Sequence, residues 1–222
     1  MDLIPAAIVI TLRQASPAPR VLLVRRNPAL EVQGGAWAFP GGRVSERDGS
    51  LEGSQALITA RACAVREMKE ETNLSFDPDD LILLTRWVTP VELDKRFYTW
   101  IFISAGDNDR VKVDGREIID HRWCTAQQAL ERHHGGDMQL TPPAYVILAN
   151  LARMADVGTG IDTLAGQIPD SFEGRLVDLQ DGRCAIYRED AGYADKSLDS
   201  DGPRHRLWMR ASGWLYEHQF RP

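Results

Sequence analysis

The chain is poor in cysteine and has no cysteine motif. Its three cysteines, Cys63, Cys124 and Cys184, are widely separated, odd in number and in no CxxC pair. A disulfide framework and a cysteine-based zinc site are therefore not expected, and reduced thiols in a cytoplasmic setting are. Positive charge is also short: 26 Lys and Arg stand against 32 Asp and Glu, for a formal net charge of -6 and a pI near 5.4. Neutralising a nucleic-acid backbone needs a basic face, so no nucleic-acid partner is expected. A small phosphorylated ligand is compatible with this balance, because a metal ion can supply the missing charge. No apolar run approaches the roughly 20 residues of a membrane-spanning helix. The opening "MDLIPAAIVITLRQ" begins with an acid, carries Pro5 and lacks a basic region, so it reads as a first strand rather than a signal peptide. The final "FRP" is not a peroxisomal Ser-Lys-Leu address. Neither GxGxxG nor a Walker lysine loop occurs.

What is present is a globular composition, 43% hydrophobic and 26% charged with six tryptophans, in 222 residues. That length suits one sizeable core plus an elaboration. "IPAAIVITLR" and "RVLLVRR" are apolar, β-prone runs split by the turn-forming "QASPAP", an antiparallel pair. "AWAF" is a short strand stopped by "PGG". Ser54 is a candidate N-cap for a helix through "QALITARACAVREMKEET". Strands follow at "LILLTRWVT", "RFYTWIFISA" and, after the turn "VDG", "EIIDHRWC", with Trp87 and Trp100 as core residues. Thr125 and Gln128 form a capping-box pattern for a short helix ended by Gly135-Gly136. His133 and His134 at its end suit the helix dipole. Thr141 and Pro142 open another helix, with Tyr145, Leu148, Ala149 and Ala152 as its buried stripe. From Ile168 onward come the short strands "GRLVDL", "RCAIYR", "HRLWMR" and "GWLYEHQ", with "EDAGYADKSLDSDGP" a mobile loop between them. Strands mixed irregularly with helices suggest an α+β or mixed α/β fold.

The most charged stretch is "REMKEETNL", residues 66 to 74. On a helix Glu67, Glu70 and Glu71 stand at i, i+3 and i+4 and share one side. Alone, such mixed charge is an ordinary solvated face. Upstream, however, "FPGG" at Phe39 to Gly42 is a turn that lets a ligand approach the main chain. Hard cations want carboxylate, carbonyl and water oxygens, and they bridge substrate phosphates. A glycine turn and a triply acidic helix supply those donors.

On these residues the chain resembles the Nudix hydrolases. The family's box runs Gly, five residues, Glu, seven residues, then Arg-Glu-apolar-x-Glu-Glu-x-Gly-apolar. "REMKEETNL" matches the second half, with Asn73 in the place of glycine, a residue that tolerates a left-handed conformation. The first half carries ten extra residues between Gly42 and Arg66, an insertion at about 43–55. Glu46, Asp48 and Glu52 are the alternatives for its early acid. The resemblance implies an α/β/α sandwich with a mixed sheet over residues 1–156, and a small β-rich extension over 157–222 packed on it. It also implies metal ligands at Glu67, Glu70, Glu71 and the Gly41 carbonyl for Mg2+ or Mn2+. Arg66 would hold a glutamate in place, Glu67, Glu70 or Glu117 would be the general base, and Arg26, Gly42 and Arg43 would meet substrate.

Leu22, Leu23, Arg26, Gly35 and Phe39 through Gly42 also fall on a spacing similar to that of coenzyme A diphosphatases, although Glu31 reverses the charge of an arginine there. The activity so implied is metal-dependent hydrolysis of a nucleoside diphosphate linked to another moiety, coenzyme A or acyl-coenzyme A among them. The alternative is a non-catalytic nucleotide sensor on the same fold. The C-terminal strand edges would also suit pairing in a homodimer.

Overall fold

The computed structural model describes residues 3–106, 110–154, 156–158, 160–162, 168 and 170–219. Phe220 to Pro222, and parts of the stretch joining 1–156 to 157–222, lie outside the described residues.

Two strands form the centre. β1 (Ile4–Arg13) runs parallel to β6 (Phe97–Ala105) over nine residue pairs, and antiparallel to β2 (Arg20–Arg26) at its far end. β6 continues antiparallel to β5 (Ile82–Val88). On its other edge β2 pairs along its length with β7 (Ile118–Thr125), while β3 (Trp37–Ala38) pairs with Val24 and Arg25 on the edge that β1 shares. The near half of β1 receives β4 (Gly41–Arg43). "FPGG" is therefore not a bare turn: its glycines start a strand hydrogen-bonded along β1.

Alternation along β1 sends side chains to two cores. Ala7 and Val9 face α1 (Gln55–Thr72), packing with Ala60, Cys63, Ala64 and Met68 at helical spacing. Ile10 and Leu12 face the opposite side, towards α2 (Ala126–His134) and α3 (Pro142–Leu151). The sheet is thus sandwiched between helices, the α/β/α architecture expected. Trp87 and Trp100 are both buried. Deleting the Met68 side chain, which is fully buried beneath α1, should cost about 2–5 kcal/mol.

Some local readings are corrected. Ser54 adopts a helical conformation and its side chain caps nothing. Thr125 and Thr141 do cap, accepting from Gln128 N and Ala144 N. In α3 the buried residues are Ala144 through Leu148, Asn150 and Leu151, while Ala152 is exposed. A helix this apolar is covered on most sides rather than along one stripe. His133 does not act as a cation at the end of α2. Its Nδ1 accepts the Leu140 N–H at 3.1 Å, and burial disfavours its charged form.

The C-terminal strands prolong the same sheet. β8 (Ser171–Leu179) joins β5 in parallel, and β9 (Gly182–Tyr187), β10 (His205–Arg210) and β11 (Gly213–His218) follow as an antiparallel meander. The "EDAGYADKSLDSDGP" segment is anchored, not loose. Buried Asp190 accepts two hydrogen bonds of 2.7 Å from buried Arg206, together with the N–H groups of Gly192 and His205.

Candidate active site

Glu67, Glu70 and Glu71 occupy the last turns of α1, and β4 lies across them. Helix spacing sends them to different partners. Glu71 turns inward, is 4% exposed, and its Oε2 accepts the Gly41 N–H at 2.8 Å. The Gly41 N–H thus faces this carboxylate. Glu67 lies beside Gly42 so closely that a Cβ at that glycine would stand 2.5 Å from the Glu67 carboxyl carbon. Gly41 is constrained as well, with φ of 146° and the oxygen of Ala7 2.3 Å from where a Cβ would be. Glu70 is half exposed and pairs with exposed Arg47 at 3.1 Å. Asn73 ends the helix in the left-handed region, φ 62°, with its N–H on the Lys69 carbonyl.

Arg66 organises the acids. Its Nη1 donates to Glu67 at 2.6 Å and to Glu70 at 3.3 Å, and its Nη2 donates to the Arg43 carbonyl at 3.0 Å. Nε and Nη2 grip Asp48 bidentately at 2.7 and 2.9 Å. Asp48 is itself fixed by the backbone N–H and hydroxyl of Ser45 at 2.8 and 3.0 Å. Among the three acids left open by sequence, Asp48 is the one that meets Arg66, whereas Glu46 and Glu52 are exposed. The signal was in the spacing counted forward: Asp48 follows Gly42 after five intervening residues. Counting back from Arg66, across the ten extra residues, obscured it.

The electrostatics differ sharply from acid to acid. Burial opposes ionisation of Asp48, yet the hydrogen bonds from Arg66 and Ser45 outweigh it and hold the carboxyl down at about 2. Burial pushes Glu71 up to about 8, with the charge of Glu67 adding to the shift and the Gly41 N–H and Arg26 opposing it. Glu67 is raised too, by burial first and by Glu70 and Glu117 after it, against the pull of Arg66. Cys63, on the buried face of α1, is pushed up to about 12 by burial, which disfavours its thiolate.

The flanking candidates are brought to the same region. A β-bulge between β2 and β7 shifts the register between Arg25 and Arg26, and the Asn27 N–H bonds to the Glu117 carbonyl at 2.8 Å. Glu117 is exposed just before β7, and its charge reaches both Glu67 and Glu71. Arg26 is half-buried, donates to the Val32 carbonyl at 3.3 Å and lies within electrostatic range of Glu71. Arg43 is exposed and its guanidinium sits over the Phe97 ring at 5.7 Å. Glu31 pairs with Lys95 at 2.9 Å. Sequence reasoning singled out neither Lys95 nor Phe97, since nothing local marks a residue whose role comes from a loop crossing.

The donor set fits a hard divalent cation in type: carboxylate oxygens in excess of nearby positive charge, two of them driven towards neutrality by desolvation and mutual repulsion. Among the described residues, however, no three His, Cys, Asp or Glu side chains stand together as a formed cage. Glu67 leans on Arg66, Glu70 on Arg47, and Glu71 on the Gly41 N–H, so each carboxylate is satisfied locally. Bringing them together would need a cation to compete with those contacts.

The NUDIX domain family model matches residues 2–142. The chain belongs to the Nudix family. The Nudix domain accounts for most of the chain and includes every site residue described above. A curated relative, nudix hydrolase 7 of Caenorhabditis elegans, is 23% identical, with 62% of this chain and 57% of that protein covered. This chain therefore spans little more than half of that relative's length. Among solved structures, a Nudix hydrolase from Alicyclobacillus acidocaldarius aligns with a TM-score of 0.64 at 20% identity, covering 73% of this chain and 96% of that one. The Nudix domain of Shewanella oneidensis NrtR, crystallised with ADP ribose, aligns with a TM-score of 0.52 at 15% identity, covering 67% and 86%. At these identities the likeness is one of fold. Among the described residues no helix is long and apolar enough to cross a membrane.

Proposed function

We propose that this Nudix protein hydrolyses a nucleoside diphosphate linked to another moiety, with Mg2+ or Mn2+ held by Glu67, Glu70, Glu71 and the Gly41 carbonyl. The observation that carries the reading is the pair Glu67 and Glu71, two desolvated, mutually repelling carboxylates pressed against the Gly41–Gly42 backbone. Burial disfavours both charges more than the Arg66 and Gly41 contacts favour them, and further positive charge beside them would stabilise the ionised forms. The bound ion would neutralise the diphosphate oxygens and acidify a water at neutral pH.

The chain's own groups have separable tasks. Asp48 fixes Arg66, and Arg66 fixes Glu67, so that Glu67 keeps one orientation beside Gly42. Glu117, exposed yet close enough to repel both Glu67 and Glu71, is the foremost candidate to take a proton from the attacking water, with Glu67 and Glu70 the others. Arg26 and Arg43 are placed to bind the anionic substrate. Asp48 stands as the early acid of the box, with the ten extra residues lying between it and Arg66. We assign 1–156 to the hydrolase unit and 157–222 to an extension that continues its sheet, in a cytoplasmic protein that can form a homodimer.

Coenzyme A or acyl-coenzyme A is our first substrate candidate, supported by the spacing of Leu22, Leu23, Arg26, Gly35 and Phe39 to Gly42. ADP-ribose is the second, supported by the ligand of the Shewanella domain. A nucleotide sensor without catalysis is the rival reading, favoured by the lack of convergence among the carboxylates. The test is a hydrolysis panel of coenzyme A, acyl-coenzyme A, ADP-ribose, NADH, nucleotide sugars and nucleoside triphosphates, run with Mg2+ or with chelator. The wild type should cleave one class, with activity lost on chelation and in a Glu70→Gln/Glu71→Gln variant. Equal ligand binding by both proteins, with no cleavage by either, would establish the sensor instead.

A further inference from the structure

β8 outruns its neighbour. β5 and β8 are in register from Arg86–Ser171 to Val88–Glu173, where β5 ends. Beyond that point the N–H groups along the edge of β8 need other acceptors. The 89–96 loop that follows β5 supplies one: Glu92 Oε2 accepts from Leu176 N at 3.1 Å, and its Oε1 pairs with Lys196 Nζ at 2.9 Å. Pro90 lies close against β8 at Gly174, where a Cβ would stand 3.3 Å from Pro90 Cγ. Lys196 in turn sits in a segment held by Arg175, which donates to the carbonyls of Tyr193 and Ala194. One end of the loop is thus fastened to the C-terminal strands.

The other end reaches the site. Lys95 Nζ meets Glu31 Oε2 at 2.9 Å, joining this loop to the one between β2 and β3. Glu31 lies within electrostatic range of Arg43. Arg43 covers Phe97, the first residue of β6, and its carbonyl receives Arg66. At the crest of the loop Val91 and Leu93 are 62% and 37% exposed, an apolar surface that the fold leaves uncovered.

We propose that Glu92 is a positioning residue for substrate: by fastening the 89–96 loop to the C-terminal strands, it holds Lys95 and the Arg43–Phe97 pair at the rim of the carboxylate site, against the part of the substrate remote from the diphosphate. The inference rests on the hydrolase reading above. It gives the C-terminal strands a share in substrate binding that their position at the far edge of the sheet does not suggest. Glu92 contacts none of the acids on α1, so its loss should appear in KM and not in kcat.

The test uses the full chain and whichever panel compound the wild type cleaves fastest. Glu92→Ala is expected to raise KM about fivefold, the scale of one part-exposed ion pair, with kcat within about twofold. Glu92→Gln keeps an acceptor for Leu176 N and should recover part of the loss. Lys95→Met should also raise KM, and the double variant should be no worse than the worse single one, because the two residues act in series. Additive effects, or an unchanged KM, would overturn the proposal. Hydrogen exchange gives a readout independent of turnover: the Leu176 amide and the 89–97 peptide should exchange faster in Glu92→Ala than in the wild type. Unchanged exchange would overturn the anchor, whatever the kinetics. A wild type that cleaves nothing while exchange responds would overturn the hydrolase reading and the substrate role, and leave the anchor standing.

Discussion

Replacing Asp48 with alanine removes the group on which Arg66 depends. The Asp48 side chain is 3% exposed and that of Arg66 is 16% exposed, so this is a largely buried pair. Lowering the Asp48 carboxyl from 3.8 to about 2 corresponds to about 2.5 kcal/mol of stabilisation at neutral pH. Breaking a buried pair by deleting one partner costs about 3–5 kcal/mol, since the guanidinium is left under-compensated. Arg66 keeps Glu67 and Glu70, which argues for the lower end, about 3 kcal/mol. In a chain of this size that is a fall in Tm of about 6–12 °C. The sign with pH is fixed: the folded carboxyl is depressed, so its contribution is complete above about pH 4 and is lost as pH falls towards 2. Thermal unfolding followed by tryptophan fluorescence would show a wild-type advantage that is constant from pH 5 to 8 and shrinks below 4. Arg47→Ala, which removes only an exposed pair to Glu70, should change stability by less than about 0.5 kcal/mol. A stability loss for Asp48→Ala no larger than that of Arg47→Ala would refute the reasoning.

Gly42→Ala would push a methyl into the Glu67 carboxylate, and displacing that group by about 1 Å should lower kcat on the order of a hundredfold at a stability cost of about 1–3 kcal/mol; an active alanine variant in the hydrolysis assay would contradict it. Glu67 and Glu71 are both raised in the folded protein, so they favour it at low pH and lose that advantage as pH rises, Glu71 through about 8. With chelator present, Tm should fall between pH 5 and pH 8, and saturating Mg2+ should flatten that slope; an identical slope with and without metal would count against a metal at these acids. Asp190→Ala leaves Arg206 buried without its partner and should destabilise by about 3–5 kcal/mol in a denaturant titration.

Much of the frame can be read from residues 4 to 151, because period-two and helical patterns, Thr125 and Thr141 caps and paired glycines each act locally. The parallel joining of β5 to β8 is not readable, since nothing in "LILLTRWVT" or "GRLVDL" says which edge meets which. α3 misleads because a helix covered on most sides has no stripe. At the site the acids of α1 are visible as a spacing, but their division into one buried, one half-buried and one exposed carboxylate depends on where β4 lies. Asp48 is hidden because ten residues more than the box has lie between it and Arg66, and Lys95 and Glu92 are hidden by the loops that carry them.

The most direct measurement is a Mn2+ titration followed by electron paramagnetic resonance on the full chain and on a Glu67→Gln/Glu71→Gln variant, each checked for folding by its unfolding transition. If the α1 carboxylates are the metal site, the free-ion signal should be quenched by the wild type and recovered on adding excess Mg2+, while the variant leaves it unquenched. Equal quenching by both proteins would place the ion elsewhere, and no quenching by either would contradict a metal-dependent hydrolase at this helix.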